Sequence, residues 1–458
     1  MREHPVTPVV LAAGEGKRMR SRLPKPLHTL LGRPMLDYVL TALEEAGLRN
    51  PVIVVGHGAE TIEAAFPGRG RFVRQRNVSG GTGDALASAL DLLGDDERVM
   101  VLYADMPCLT GAGLARFVEA AEASPAAMLS AFFKDPSGYG RVIRDDAGGF
   151  TAVREDRDAS SEERRIPEIN SGLYLFQVSD LRAHLGTLGT ENAQAEAYLP
   201  DLLAILKERG RGVAVVEAMD AEEVLGVNDP LQLAEAEERL RWRILRRWMR
   251  SGVVIHDPAS VWIEAPVTLE PDVTIEAGCR LTGETRVRSG AVIGPATGLH
   301  DSEVGKRSTV VRSEVEGSRI GEDVRVGPLA HLRPGSIVGD GAEIGNFAEL
   351  KNTRFGAGSK AHHHSYLGDA EVGEEVNIGA GAITVNYNGE TKERTIIGDG
   401  AFIGCNVNLI APVTVGPGAY VAAGSTVNGE VPPGALAIAR ERQRNIEGWV
   451  RRRRSGGK

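Results

Sequence analysis

The sequence predicts two domains of different class: a Rossmann-like α/β sheet in the first half and a left-handed parallel β-helix of hexapeptide repeats in the second. Two observations carry this. From Pro8 to about Asp229, short β-branched runs alternate with helical patterns, as in a mostly parallel α/β sheet. Beyond Pro258, glycine is concentrated and aliphatic residues return at every sixth position, a period of neither a helix nor an open sheet.

The α/β elements follow in order: TPVVLAA as a strand, MLDYVLTALEEAG as a helix, PVIVVG as a strand, DALASALDLL as a helix and RVMVLYAD as a strand. Residues 231–250 place Leu233, Leu240, Ile244, Leu245 and Trp248 at helical spacing opposite a charged face, and Ser251-Gly252 ends the run. The expected division is therefore 1–229, a linker helix at 230–251, and 252–458. The basic half of that helix is read as a solvated face.

Ile263, Leu269, Ile275, Leu281, Val287 and Ile293 fall on one hexad phase. Ile320, Val326, Leu332, Val338, Ile344 and Leu350 repeat it, as do Ile397, Ile403, Leu409, Val415, Val421 and Val427. Each hexad gives one short strand and one turn of a three-sided coil, the aliphatic residue pointing inward. Two stretches break the phase: VNYNGETKERTI (385–396), expected to be an external loop, and HHHSYLG (362–368).

Composition bounds the function. A net charge of -9 argues against a general nucleic-acid binder, whose footprint is basic. Cys108, Cys279 and Cys405 have no paired or metal-type spacing and suit a reducing compartment. The opening MREHPVTPVVLAAGEG has too short an apolar run for a signal peptide, and no stretch approaches a membrane span. The expectation is a cytoplasmic protein with no membrane and no nucleic-acid partner. The basic tail WVRRRRSGGK is read as frayed.

The first chemical constellation begins where the first strand runs into LAAGEGKRM. Ala13, Gly14 and Gly16 let backbone amides approach a phosphate, and Arg18 adds a fixed cation. Spacing excludes a Walker loop, and Met19 stands where a dinucleotide fingerprint needs its third glycine. Lys25, in Leu23-Pro24-Lys25-Pro26, supplies a second cation on a rigid turn. Tyr103-Ala104-Asp105 ends a buried strand, so its carboxylate lies at the edge of the sheet where α/β ligands bind. Mg²⁺ takes oxygen ligands and keeps substrate phosphates in its shell, so Asp105 with one amide, for which Asn228 is a candidate, suffices.

LAAGxGxRM, LPK, GTG (Gly81 to Gly83), YxD, YGR (Tyr139 to Arg141) and GVND occur in the order used by nucleoside-diphosphate-sugar pyrophosphorylases. With a hexapeptide β-helix behind them, the chain resembles the family of bifunctional N-acetylglucosamine-1-phosphate uridylyltransferases / glucosamine-1-phosphate acetyltransferases, over nearly its whole length. The resemblance implies a nucleotidyltransferase domain in which Leu11, Ala12, Ala13 and Gly14 line the uridine and phosphates, with Lys25 on phosphate and Arg18 as the catalytic cation. Gln75 and Gly81-Thr82 would read the uracil edge beside Tyr103 and Ala104. Gly140, Glu155 and Asn170 would hold the sugar, and Asp105 with Asn228 would hold Mg²⁺. The implied reaction joins UTP to N-acetylglucosamine-1-phosphate and releases pyrophosphate. Lys17, Ala104 and Asp84 depart from the usual Thr, Gly and His, and QRNVSGGTG is one residue longer than the usual segment.

Acetyl transfer from acetyl-CoA to glucosamine-1-phosphate needs a base, oxyanion donors and a phosphate site. By the resemblance, Arg333 in HLRPG and Lys351 in ELKN are the phosphate pair, on neighbouring coils. His363, three residues before Tyr366, matches the base, with Glu349 as the acid that orients it. Asn377, Tyr366 and Asn386 would fix the sugar and the reacting amide. Ala380, Asn386-Tyr387, Cys405, Ala423 and Arg440 would contact acetyl-CoA. Departures are His362 and His364 beside the base, and Cys405 where the family has Ser, a poorer side-chain donor.

Alternatives stand beside this reading. The β-helix could serve a single-function pyrophosphorylase only for regulation and assembly, or be a trimerisation module, which need not exclude catalysis. The histidine run could belong to a zinc hydrolyase on the same scaffold, which would want histidines alternating along a coil and repeated on the next. A homotrimer is implied by the resemblance alone.

Overall fold

The computed structural model of the protein describes residues 6–77, 80–193 and 196–455. The chain divides into two compact units, Met1–Trp242 and Arg243–Lys458. Residues 78–79 of the lengthened QRNVSGGTG segment, residues 1–5 and the end of the basic tail lie outside the described residues.

The first unit is built on a mixed sheet. Its strands are β1 (Val6–Ala12), β2 (Val52–Val55), β3 (Arg71–Arg74), β4 (Arg98–Tyr103), β5 (Ala126–Phe132), β6 (Gly140–Arg144), β7 (Phe150–Arg154), β8 (Glu168–Gln177) and β9 (Val213–Glu217). They run in the order β9-β5-β8-β4-β1-β2-β3, with β6 pairing β8 and β7. β1 is parallel to both β2 and β4, whereas β8 is antiparallel to β4 and β5. The expectation of a mostly parallel sheet therefore holds around β1, and one long antiparallel strand is inserted beyond it.

Burial explains the near-continuous apolar runs. Val10 and Ala12 of β1 join Ile53, Val55 and Leu102 on one face, under Leu36 and Leu40 of the helix Met35–Glu45. Val9 and Leu11 join Val52, Val54 and Val101 on the other, under Leu86 and Leu202. With both faces covered, alternation vanishes and stretches such as 9–12 and 52–55 are aliphatic throughout. Each such side chain is worth about 1.5–3 kcal/mol when fully buried.

In the second unit, short parallel strands stack coil upon coil. Ile263 pairs in register with Leu281, then Leu299, Val315, Leu332, Leu350 and Leu367 on successive coils. This is the pairing of a left-handed parallel β-helix of hexapeptide repeats. The aliphatic residues of all three hexad runs are buried. Between Ile293 and Ile320 the buried aliphatic positions are Leu299, Val304, Val310 and Val315, so rungs of five residues mix with rungs of six and the strict phase is lost.

Of the two expected interruptions, one is a loop and the other is not. The chain leaves the strand Ile383–Val385, forms a small hairpin closed by a Tyr387–Lys392 bridge, and rejoins at Thr395–Ile397. Residues 362–368, by contrast, belong to one continuous strand, Lys360–Gly368, parallel to Glu343–Lys351. Ala361 and Leu367 stay buried while the three histidines are exposed, so no insertion is present.

The helix Pro230–Arg250 buries Ala236, Leu240, Ile244 and Leu245. Among the described residues no helix is long and apolar enough to cross a membrane.

Candidate functional site

In the first unit the carboxyl ends of β1 and β4 lie side by side, the Ala104 N–H donating to the Leu11 carbonyl at 3.0 Å. The loop after β1 turns through Gly16 at φ 63°, and a Cβ there would lie 2.9 Å from the Lys25 Cβ. Glycine thus both supplies the left-handed conformation and lets the Lys25 turn close over the loop.

A cavity of about 660 Å³ opens at this edge. Leu11, Ala12, Ala13, Gly14, Lys25, Gln75, Gly81, Thr82, Tyr103, Ala104 and Asp105 all line it. Glu15, Lys17, Asn77 and Glu196 line it too, and no sequence motif marks Asn77 or Glu196. The Lys17 ammonium pairs with Glu15 at 2.6 Å on the rim. Gln75 Nε2 donates to the Asn77 carbonyl at 2.8 Å, the Gly81 carbonyl at 3.3 Å and the Asp84 carboxylate at 3.2 Å. Asp84, noted from sequence only as a departure, therefore ties the Gln75 side chain to the turn before the helix Gly81–Ala89.

The Lys25 ammonium is bonded to Asp105 Oδ2 and lies 3.0 Å from Asn228 Oδ1, which also accepts from Arg18 at 2.8 Å. A carboxylate and an amide oxygen thus converge on one cation. That donor set fits Mg²⁺, which takes oxygen ligands and leaves further positions for water and phosphate.

Gly140, Glu155 and Asn170 gather beside the cavity. Asn170 and Gly140 are register partners across β8 and β6, and a Cβ on Gly140 would lie 3.0 Å from Glu155 Oε1. Asn170 Nδ2 donates to the Tyr174 hydroxyl at 2.7 Å. Tyr174 is fully buried, and no sequence motif identified it as the residue that holds Asn170. Burial pushes the Glu155 carboxyl up to about 7, with Asp201, Asp158 and Asp156 adding to the rise. Burial likewise holds the Tyr103 hydroxyl well above its ordinary range, and the nearby Glu155 and Asp105 charges add to it.

The second constellation lies on one side of the β-helix. Arg333 and Lys351 are register partners on adjacent coils, so the backbones that carry these two cations stand one strand spacing apart, about 4.8 Å. Arg333 donates to Glu349 Oε1 at 2.9 Å, and Glu349 is the register partner of Tyr366. A Cβ on Gly368 would lie 2.4 Å from the Tyr366 hydroxyl and 2.8 Å from Asn386 Nδ2. Only glycine lets these two groups meet there. Lys351 Nζ, at 3.3 Å, and Asn386 Nδ2, at 2.5 Å, both donate to the Asp369 carboxylate.

His363 is exposed and pairs in register with Asn346. Glu349 stands three positions further along the same strand, and its carboxylate is engaged by Arg333. Among the described residues no hydrogen bond joins Glu349 to the His363 imidazole. His362 contacts Glu343 at 3.1 Å, and His331 pairs in register with Glu314 and Glu349. Histidines thus do not stack on successive coils.

Asn377 begins the next coil, paired with Lys360 and Phe402. Ala380, Cys405 and Ala423 occupy one corner on three successive coils. The Asn406 N–H donates to Ala380 at 2.7 Å, the Gly424 N–H donates to Cys405 at 2.8 Å, and a Cβ on Gly404 would strike the Ala423 amide at 2.6 Å. Arg440 Cδ would lie 3.8 Å from a Cβ on Gly424. Cys405 and Tyr387 are exposed.

Known proteins match both halves of the chain. Residues 8–224 match the MobA-like NTP transferase domain, and residues 317–352 and 394–429 match the bacterial transferase hexapeptide. The bifunctional protein GlmU of Heliobacterium modesticaldum is 46% identical over 456 residues, covering 99% of both chains. That of Caldanaerobacter subterraneus subsp. tengcongensis is 44% identical over 98% of both, and that of Brevibacillus brevis 46% identical over 95% of both.

Proposed function

This chain belongs to the family of bifunctional GlmU proteins, and on that premise we propose that it makes UDP-N-acetylglucosamine by two reactions at two separate sites. Residues 1–229 carry uridylyl transfer, residues 252–458 carry acetyl transfer, and residues 230–251 link them. The product supplies cell-wall biosynthesis, and the protein works in the cytoplasm. The observation that carries this reading is that each compact unit assembles its own convergent set of charged and polar groups.

In the first site, a phosphate oxygen of N-acetylglucosamine-1-phosphate attacks the α-phosphorus of UTP. The bond from that phosphorus to the bridging oxygen breaks, and pyrophosphate leaves. The backbone of Leu11 to Gly14 cradles the nucleotide, while Gln75 and Gly81-Thr82 face the base. Gly140, Glu155 and Asn170 hold the sugar, so the attacking oxygen is held in line. Lys25 and Arg18 neutralise charge that builds on the phosphates. Asp105 and Asn228 would hold Mg²⁺, which supplies electrostatic stabilisation of the phosphates when bound.

In the second site, Arg333 and Lys351 bind the phosphate of glucosamine-1-phosphate. His363 accepts the ammonium proton, and the free amine attacks the thioester carbonyl of acetyl-CoA. The tetrahedral oxyanion is met by donors at the corner formed by Ala380 and Cys405. The carbon–sulfur bond then breaks, the proton shed by the newly acylated nitrogen passes to the departing sulfur, and coenzyme A leaves as the thiol. Tyr366, Asn377 and Asn386 fix the sugar, and Tyr387, Ala423 and Arg440 contact the coenzyme. A homotrimer through the β-helix faces is compatible with the hexapeptide repeats and would let the 385–396 loop reach a neighbouring coenzyme site.

The test is to follow acetyl-CoA-dependent thiol release with glucosamine-1-phosphate, and pyrophosphate release from UTP with N-acetylglucosamine-1-phosphate, in Asp105→Ala and the unaltered chain. Thiol release should survive in Asp105→Ala while pyrophosphate release is lost. Pyrophosphate release without thiol release in the unaltered chain would leave a single-function pyrophosphorylase.

A further inference from the structure

Asp369 follows the strand Lys360–Gly368 at a turn, in the left-handed region at φ 49°, and is only 9% exposed. Its carboxylate accepts three hydrogen bonds, from the coil before its own and the coil after it. Oδ1 accepts from Asn352 at 2.7 Å, and Oδ2 accepts from Asn386 at 2.5 Å and Lys351 at 3.3 Å. The Asp369 N–H donates to the Lys351 carbonyl at 2.9 Å, which locks the turn against the coil before it.

A buried carboxylate is costly unless it is fully bonded. Burial alone would raise the Asp369 carboxyl, but the donors on Asn352, Asn386 and Lys351 outweigh it and hold the group below the usual carboxylate range. Lys392, from the 385–396 hairpin, approaches the Lys351 ammonium, so two like charges crowd this corner. Asp369 is the counter-charge that lets them stand together. Among the described residues it is also the one side chain to which both Lys351 and Asn386 are hydrogen-bonded.

We propose that Asp369 is a positioning residue of the acetyl-transfer site, a single buried carboxylate that aims the Lys351 ammonium at the sugar phosphate and the Asn386 amide at the reacting group. This rests on the reading of Lys351 and Asn386 as substrate-binding. Asp369 touches neither substrate itself. Without it, the flexible lysine stem loses its anchor and the amide can rotate, so the ordering must be supplied by the substrate on binding.

The experiment compares Asp369→Asn, Lys351→Ala and the double variant in the full chain, reading KM and kcat for glucosamine-1-phosphate by thiol release. Asp369→Asn should raise that KM about 10- to 100-fold, the weight of hydrogen bonds to a charged group, and leave uridylyl transfer unchanged. The double variant should raise KM by less than the product of the two single effects, because residues acting as one unit are not additive. If Lys351→Ala leaves KM unchanged, the phosphate-site reading fails. If Lys351→Ala raises KM but Asp369→Asn does not, or the two effects add fully, the positioning role is overturned and that reading stands. Should Asp369→Asn not fold, Asp369→Glu keeps the charge and shifts it by one methylene. It should still raise KM about 3-fold or more with uridylyl transfer intact, and an unchanged KM there overturns the proposal equally.

Discussion

The ammonium of Lys25 is bonded to the carboxylate of Asp105 and, at 3.0 Å, to the amide oxygen of Asn228. One side-chain cation spans both oxygens that we assign to Mg²⁺. Two cations cannot share that space without repulsion, so an incoming metal ion must displace the ammonium. A bound triphosphate offers the ammonium another anion to pair with. Metal and nucleotide should therefore bind cooperatively, each removing a cost the other would meet.

Lys25→Met tests this directly. Without nucleotide, Mn²⁺ used as a spectroscopic substitute for Mg²⁺ should bind several-fold more tightly to Lys25→Met, because the competing ammonium is gone. Uridylyl transfer should fall in the same variant, as a phosphate contact is lost. Equal Mn²⁺ affinity in the two proteins would show that the ammonium does not compete.

Base choice should follow the bonds at Gln75. Its amide nitrogen already serves Asn77, Gly81 and Asp84, which fixes the amide and leaves the side chain no freedom to adapt to a different base edge. UTP should be used in strong preference to ATP, since a site built around specific hydrogen bonds rejects a base that leaves them unmade. Asp84→Ala should free the amide and narrow the preference, measured as the ratio of kcat/KM for the two nucleotides. An unchanged ratio would remove Asp84 from the account.

Glu155 makes the stability of the first unit depend on pH. Its carboxyl is pushed from 4.5 to about 7 in the folded chain, by burial first and by Asp201, Asp158 and Asp156 next. A folded-state value above the unfolded one means that the folded chain binds its proton more tightly. Nothing is lost below about pH 4.5, stability falls as pH rises from there to about 7, and the full cost persists above it. At about 1.4 kcal/mol for each tenfold change in proton affinity, that cost is about 3 kcal/mol. Glu155→Gln should flatten most of this fall, with the raised carboxyl of Asp201 leaving a remainder. Hydrogen exchange of the Glu168–Gln177 amides, corrected for intrinsic rate, should show higher protection in the variant at pH 8 and equal protection near pH 4.5.

Which parts were legible in the sequence follows from the range of the interactions. Leu11 to Gly14 and Tyr103 to Asp105 end adjacent parallel strands, so α/β geometry alone brings them to one edge, and the cavity is lined by both. The hexads were legible because each repeat carries its own inward residue. What stayed hidden depends on pairing between distant segments. Nothing local marks Glu168–Gln177 as the strand that runs antiparallel to its neighbours. The pairing of Glu349 with His363 comes from the resemblance alone, and in the folded chain register sets Asn346 beside His363 while Arg333 bonds the Glu349 carboxylate. Tyr174 and Asp369 carry no motif, and only the folded chain brings Asn170 to the one and Lys351 with Asn386 to the other.

His363 decides whether the second unit is an enzyme. As general base, His363→Ala should lower acetyl transfer by ~10²–10⁴-fold, the usual weight of a positioned acid–base group, while uridylyl transfer survives. The neighbouring histidines should matter less. His362 is already engaged by Glu343 at 3.1 Å, and neither flanking imidazole is the one the resemblance assigns as base. A zinc site would behave differently: activity would be lost to chelators, restored by the metal, and more than one histidine would be essential. The register here puts Asn346 beside His363 and carboxylates beside His331, so among the described residues these pairings supply no second histidine across the coils. Acetyl transfer should therefore be indifferent to chelators, with the steep loss confined to His363→Ala. A folded His363→Ala that keeps normal acetyl transfer would move the base elsewhere, and the Glu349 carboxylate, held by Arg333 next to Tyr366, is then the group to replace next.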